Sequence, residues 1–197
     1  MAILPIYLYG HPVLRAPARP VEEDSPELQR LIDDMLETMY QASGIGLAAP
    51  QVGHSLRLFV MDLAQPQEEE EEGGRIRRPG RPEVLLNPQL IASSEVEVEY
   101  EEGCLSIPEV REPIWRPETI RVRYQDRYFR WHEEEITGLR ARVFQHEHDH
   151  LEGILLIDRI SAFRRRLLRR RLNEIAQGQV QVDYLLAPPF LPREAVR

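Results

Sequence analysis

"QHEHDHLEG", residues 145–153, contains three of the six histidines of this 197-residue chain. His146 and His150 are four residues apart, so an α-helix places both side chains on one face and points His148 away from them. With Glu147 they form the pattern H-E-x-x-H, in which two histidines bind a metal ion and the glutamate is a general base. The alternative is a solvated helix end that has this pattern by chance.

A catalytic metal site of this kind needs a third protein ligand. Leu156 stands where one class of metalloproteases has a third histidine, which excludes that class. Glu174 is the helical carboxylate that a second class of metallopeptidase would use, although it lies in an arginine-rich helix. The single cysteine, Cys104, follows a predicted strand in "EEGCLSIP", and Gly103 beside it would let the backbone turn and expose the sulfur. The alternative for Cys104 is a buried, inert thiol.

Three stretches together resemble the peptide deformylase family. They are "GIGLAAPQ" at residues 44–51, "EGCLS" at 102–106 and "QHEHDHL" at 145–151. The resemblance extends from the N-terminus to about residue 160 and is to the main bacterial type. It implies a metal-dependent hydrolase that removes the formyl group from the N-terminal formylmethionine of nascent polypeptides and releases formate.

The resemblance also implies roles for individual residues. The implied metal ligands are Cys104, His146 and His150. Glu147 would transfer protons, Gln51 and the backbone N–H of Leu105 would hold the formyl oxygen, and Glu102 would support the site. One divalent ion per chain follows, with iron(II) expected in the cell and zinc, nickel or cobalt as alternatives.

A substrate peptide would pair like an added strand with an extended edge at residues 44–46. Leu139 and Val143 precede His146 by seven and three residues, so they would form apolar walls for the methionine side chain, with core packing as the alternative. Arg111 matches an arginine that the family has after the cysteine motif, and a surface ion pair is its alternative role. The predicted substrate-binding residues are Gly44, Ile45, Gly46, Gly103, Arg111, Leu139 and Val143.

Apolar periodicity predicts the remaining elements. Residues 25–43 form a helix that begins at Ser25 and Pro26, and a last helix runs from about 161 to 176 with Phe163, Leu167, Leu168, Leu172 and Ile175 on one side. Strands are predicted at 55–63, 95–103, 119–126, 128–134 and 154–158, and the strand at 128–134 pairs back on the one before it. Thr137 and Gly153 are expected to begin and end the histidine-bearing helix.

The order of these elements predicts an α+β fold, with antiparallel β-sheets packed around a central metal-binding helix and with N-terminal and C-terminal helices. Alternation at Val96, Val98 and Tyr100, and again at Ile120, Val122 and Tyr124, predicts two half-buried strands. We expect a catalytic domain at residues 1–160, including a flexible acidic loop at 64–82, and an arginine-rich helix and tail at 161–197.

Charge and composition limit the possible partners. The chain has 33 acidic and 25 basic residues and a net charge of −8, which argues against DNA or membrane binding. No signal peptide or membrane-length apolar run is apparent, so a cytoplasmic protein is expected. The chain is also expected to be a monomer. A closed structural metal module with His148 as fourth ligand is a non-enzyme alternative, but His148 points away from the other two histidines.

The stretch "FRRRLLRRR" at residues 163–171 concentrates arginines on an otherwise acidic chain. An enzyme that acts on nascent chains would meet its substrate sooner if these arginines bound ribosomal RNA phosphates. The alternative is a surface helix whose arginines pair with nearby carboxylates.

Overall fold

Three α-helices and nine β-strands make up the part of the chain that this computed structural model describes, residues 1–64, 67–71, 74–78 and 80–190, with the backbone alone at 67–71 and 74–78. The helices are α1 (Pro26–Gln41), α2 (Gly138–Leu151) and α3 (Ala162–Ala176). The strands are β1 (Gly46–Ala48), β2 (Leu58–Met61), β3 (Gln67–Glu71), β4 (Gly74–Arg78), β5 (Glu83–Ser93), β6 (Glu97–Cys104), β7 (Ile107–Pro117), β8 (Thr119–Gln125) and β9 (Trp131–Thr137). Short 3-10 helices lie at Pro12–Leu14, Ala49–Val52 and Leu156–Asp158.

The main sheet has five antiparallel strands in the order β1-β2-β5-β8-β9. Ile120, Val122 and Tyr124 alternate along β8 and are buried, as predicted. They share a core cluster with α2, in which the rings of Phe59 and Phe144 meet edge to face at 5.3 Å. The sheet therefore supports the histidine-bearing helix along one face, and the predicted α+β fold is confirmed.

Helix α1 packs on the opposite face of β1 and β2 from α2, and it begins where its sequence predicts. The Ser25 hydroxyl accepts a hydrogen bond from the Leu28 N–H at 3.1 Å, and Pro26 occupies the first helical turn. Its apolar face, including Ile32, Met35 and Met39, is buried against β1 and β2. This packing fixes the chain that leads into residues 44–51.

Strands β6 and β7 form a separate antiparallel ribbon. The strand at β6 was predicted. The prediction that its apolar side chains form a half-buried face was wrong at two positions, because Val96 is 60% exposed and Tyr100 is 54% exposed. This face is covered only at its end, where Glu102 is 5% exposed and meets Arg142 of α2. Helix α2 therefore covers Glu102 on this face, whereas the side chains of Val96 and Tyr100 stay largely in solvent.

Two further segments depart from the predictions. Residues 154–158 do not form a strand, because the Asp158 carboxylate accepts a hydrogen bond from the Leu155 N–H at 2.8 Å and closes a 3-10 turn. Within the expected acidic loop at 64–82, β3 and β4 pair as an antiparallel hairpin. Residues 65, 66, 72, 73 and 79 of that segment and the tail at 191–197 lie outside the described residues.

Helix α3 begins at the Ser161 cap and packs through its second half. Leu172 and Ile175 are buried in one cluster with Leu8 and Ile107, whereas Phe163 and Leu167 are 69% and 59% exposed, so the predicted apolar stripe is only half buried. None of the helices in the described residues is long and apolar enough to cross a membrane.

The chain after α3 returns to the N-terminal segment. Ile6 and Leu186 form a parallel bridge. The Ile6 N–H donates to the Leu185 carbonyl at 2.8 Å, and the Ala187 N–H donates to the Ile6 carbonyl at 2.9 Å. These bonds bring the residues just before Leu185 to the same side of the molecule as the histidine motif.

Candidate active site

Three ligand atoms converge between α2 and the end of β6. The sulfur of Cys104 and one ligand nitrogen each from His146 and His150 lie within 4.8 Å of one another. The distance from Cys104 Sγ to His150 Nε2 is 3.3 Å, and the two imidazole centroids are 5.1 Å apart. A thiol and two imidazoles at this spacing can bind one metal ion.

The other ligand candidates lie elsewhere. The His148 ring stacks on Phe144 at 6.0 Å, and its Nε2 is 3.4 Å from Arg57, so it faces away from the cluster. Glu174 pairs with Arg170 and Arg171 on α3. Neither a four-ligand structural site nor a glutamate-completed peptidase site is formed by these residues.

An irregularity in the β6–β7 ribbon positions the cysteine. The pairing register shifts between Gly103 and Cys104, so that Cys104 lies opposite Ile107 at the turn. A Cβ on Gly103 would lie 3.0 Å from Arg111 Nη1, so the Arg111 side chain passes close to this glycine. The shift interrupts the regular ladder at the turn where the sulfur meets the histidines.

Glu102 orients the ring of His146 through the Nδ1 atom. Its Oε2 lies 2.9 Å from His146 Nδ1, and it also receives hydrogen bonds from Arg116 at 2.6 Å and Arg142 at 2.9 Å. Burial raises the pKa of Glu102, but the hydrogen bonds from His146 and Arg116 outweigh it and hold the pKa well below its ordinary value. The charged carboxylate thus fixes the ring and leaves His146 Nε2 available for a metal.

Glu147 is a buried carboxyl group that faces the cavity. It is 4% exposed, and its Oε2 has no hydrogen-bond partner among the residues that the structure describes. Burial raises the pKa of Glu147 to about 7. A group of this kind can accept and return a proton near neutral pH.

The Gln51 amide is oriented by its own backbone turn. Its Oε1 accepts from the Ala48 N–H at 2.8 Å, so Nε2 faces Ser106 Oγ at 3.2 Å and Cys104 Sγ at 3.6 Å. Gln51 is 2% exposed. This N–H donor therefore lies next to the ligand cluster with little freedom to rotate.

A cavity of about 570 Å³ opens above the cluster. All of the predicted substrate-binding residues line it, as do Gln51, Leu105 and Glu147. Val143 is 5% exposed and also belongs to the core, whereas Leu139 is 43% exposed. Arg111 pairs with Glu101 at 2.7 Å, an exposed ion pair at the rim. The cavity is large enough for an apolar side chain with part of its peptide backbone.

The sequence did not predict one wall of this cavity. Residues 181–184 line it, and the Tyr184 hydroxyl donates to the Leu105 carbonyl at 2.7 Å. Burial, with a smaller contribution from Cys104, raises the pKa of Tyr184, so the phenol stays protonated at neutral pH. Only the fold brings this segment to the site, and no local pattern in residues 181–184 indicates it.

Comparison with known proteins agrees with this geometry. The family model described as Polypeptide deformylase matches residues 3–166. The chain is 55% identical over 184 residues to the peptide deformylase of Salinibacter ruber, which covers 93% of this chain and 94% of that protein.

Solved structures give the same result. The Legionella pneumophila peptide deformylase superposes with a TM-score of 0.77 at 39% identity, over 90% of this chain and 98% of the other. The Thermus thermophilus peptide deformylase gives a TM-score of 0.76 at 44% identity, over 90% and 99% of the two chains.

Proposed function

The chain belongs to the peptide deformylase family, and from this premise we propose how its own residues carry out the reaction. It is a metal-dependent hydrolase that removes the formyl group from the N-terminal formylmethionine of nascent polypeptides and releases formate. The proposed roles rest on one observation. Cys104, His146 and His150 converge next to the buried carboxylate of Glu147.

We propose that Cys104, His146 and His150 hold one divalent ion. Their donor atoms lie within 4.8 Å of one another, and the hydrogen bond to Glu102 sets the His146 tautomer that a metal requires. Such an ion supplies Lewis acidity for the attack of water on the formyl carbon. We propose iron(II) as the ion in the cell, with zinc, nickel or cobalt as alternatives, and metal analysis of anaerobically purified protein checks this.

Glu147 is the proposed general base and acid. Its carboxylate takes a proton from water as the hydroxyl oxygen bonds to the formyl carbon. When the carbon–nitrogen bond breaks, Glu147 returns the proton to the leaving amine, which gives formate and a free N-terminal methionine. The burial of Glu147 and the lack of a protein partner for Oε2 in the described residues leave this oxygen available to water.

Gln51 Nε2 and the Leu105 N–H are the proposed donors to the formyl oxygen. Donors fixed in advance stabilise the negative charge that develops on this oxygen in the transition state. The bond from the Ala48 N–H fixes the Gln51 amide, and the β6–β7 turn holds Leu105.

The substrate peptide is proposed to extend along the edge that begins at Gly44 and continues into β1. Strand β1 is the outer strand of the five-stranded sheet, as pairing of an added strand requires. Leu139 and Val143 provide apolar wall for the methionine side chain. Gly103 and Arg111 also line the cavity, and they are proposed to meet the peptide beyond the methionine.

Formate release from formyl-Met-Ala, compared with unformylated Met-Ala, tests the function. Glu147→Gln should keep its metal and lose about two to four orders of magnitude in kcat, since a positioned general base contributes this much. The control is Glu152→Gln. Glu152 follows α2 directly and is more exposed than Glu147, so this variant should leave kcat unchanged. Near wild-type formate release by Glu147→Gln would remove it from the mechanism, and cleavage of the Met-Ala peptide bond would instead indicate a peptidase.

We also propose that α3 contacts ribosomal RNA and that the enzyme works in the cytoplasm, where formylated N-termini are made. Arg166 and Arg169 support this, because both are exposed and neither has an ion pair among the described residues. Arg164 differs, since it pairs with the buried Glu112 at 2.7 Å. The monomeric state stays a prediction.

A further inference from the structure

One wall of the active-site cavity comes from the chain after α3. Residues 181–184 line the cavity together with Leu105 and Glu147. The match to the family model ends at residue 166, so this wall lies outside the part of the chain that the family model covers.

The N-terminal segment holds this wall and the catalytic residues together. Ile6 exchanges hydrogen bonds with Leu185 and Ala187, at 2.8 and 2.9 Å. In the same segment, the Tyr7 N–H donates to the Gln51 carbonyl and the Tyr9 N–H to the Ser106 carbonyl, both at 2.8 Å. A single stretch, residues 6–9, thus fixes the tail relative to the Gln51 turn and the β6–β7 turn.

Tyr184 reaches from this wall to the β6–β7 turn. Its hydroxyl donates to the Leu105 carbonyl at 2.7 Å, and both side chains pack against the same core cluster. The next residue of the turn, Ser106, is fully buried and is held at its carbonyl by Tyr9 and at its hydroxyl by Gln51. Tyr184 therefore restrains the turn at Leu105 itself.

We propose that Tyr184 is a positioning residue that aims the Leu105 N–H at the formyl oxygen. The inference rests on the proposed function, since it assumes that this N–H is a donor in the reaction. Without the phenol hydroxyl, the Leu105 backbone can rotate relative to its neighbours. The Leu105 side chain itself packs closely on Gly44, since a Cβ placed on this glycine would lie 2.8 Å from Leu105 Cδ1.

Tyr184→Phe tests this, because it removes the hydroxyl and keeps the ring. We expect kcat for formyl-Met-Ala to fall about three- to tenfold, the value of one ordinary hydrogen bond, with KM and metal content unchanged. The matched control is Tyr124→Phe, which removes a 2.8 Å hydrogen bond to Glu134 at a distance from the cavity and should leave kcat unchanged.

Amide hydrogen exchange gives a second measurement that does not depend on activity. The Leu105 and Ser106 amides should exchange faster in Tyr184→Phe than in the wild type and at the wild-type rate in Tyr124→Phe. Wild-type kcat and exchange in Tyr184→Phe, or an equal loss of kcat in both variants, would overturn the inference and leave the proposed function intact. A wild-type enzyme that releases no formate would instead overturn the proposed function.

Discussion

The missing side chain of Gly46 determines where the carboxylate of Glu147 can lie. A Cβ on Gly46 would be 2.9 Å from Glu147 Cδ and closer still to its Oε1. No real Cβ contact is that short, so any larger residue must displace the carboxylate. The absent side chain of Gly46 therefore faces Glu147 of the protein itself, and that of Gly44 faces Leu105.

Gly46→Ala should therefore retain metal and lose activity. A shift of about 1 Å in a catalytic group can cost about a hundredfold in rate, and we expect a fall in kcat of this order. Steady-state formate release and metal content measure the two effects separately, and thermal unfolding serves as the control for folding. A variant with wild-type kcat would contradict the close contact between Gly46 and Glu147.

Within the elements, the β8–β9 hairpin is organised by one carboxylate. Its turn has no glycine, and Phe129 adopts a φ of +61°. Asp126 compensates, because it accepts hydrogen bonds from the Tyr128 N–H at 2.8 Å and the Arg130 N–H at 3.1 Å, and lies 2.9 Å from His132 Nε2. Burial raises the pKa of Asp126, but these bonds lower it to about 2.

Asp126→Asn should lower stability at neutral pH. A carboxylate whose folded pKa lies below its unfolded pKa stabilises the protein above the unfolded pKa, near 4, and this contribution disappears as pH falls towards about 2. The difference in unfolding free energy between wild type and Asp126→Asn, measured by urea unfolding, should therefore shrink between these pH values. Glu23→Gln, an exposed carboxylate in a loop, is the control, and a pH-independent difference would contradict this role of Asp126.

Elements with a local physical cause could be predicted from the sequence. The Ser25 cap and Pro26 define the start of α1, and alternation from Ile120 to Tyr124 defines β8. The failures arose where a side-chain contact that the apolar pattern does not contain decides the structure. Residues 154–158 are apolar enough for a strand, yet a hydrogen bond from Leu155 to Asp158 turns the chain. The exposure of Tyr100 depends on which β6 side chains α2 covers, which the β6 sequence does not contain.

The same distinction holds for the candidate site. The spacing of His146 and His150 on a helix placed both ligands together, and Cys104 completes the cluster as the resemblance implied. The arginines around Glu102 could not be told from surface arginines by sequence, because their burial results from the packing of α2 on the ribbon. The division of the chain at residue 160 stays a prediction.

At the scale of the whole molecule, charge is unevenly distributed. The chain has a net charge of −8, yet α3 presents exposed arginines at 166, 169 and 170 beside the exposed side chains of Phe163 and Leu167. Such a face can bind phosphates with a strong dependence on salt, because each neutralised phosphate releases counterions.

Changing Arg166, Arg169 and Arg170 to Gln should weaken co-sedimentation with ribosomes. The slope of log affinity against log salt concentration should become shallower by about one for each phosphate that the variant no longer neutralises. A control with Arg19, Arg30 and Arg121 changed to Gln loses the same charge from other surfaces and should bind like the wild type. Equal binding by the two triple variants would assign the effect to net charge alone and contradict a role for α3.

The bridge between Ile6 and Leu186 has a consequence for the order in which the protein matures. Synthesis proceeds from the N-terminus, so Cys104 and the histidines are made before residues 181–187. The segment around Ile6 must wait for these residues to gain its hydrogen bonds, and the cavity lacks a wall until they arrive. The three metal ligands are thus made before the last wall of the cavity, and the complete cavity can form only after residues 181–187 have been made.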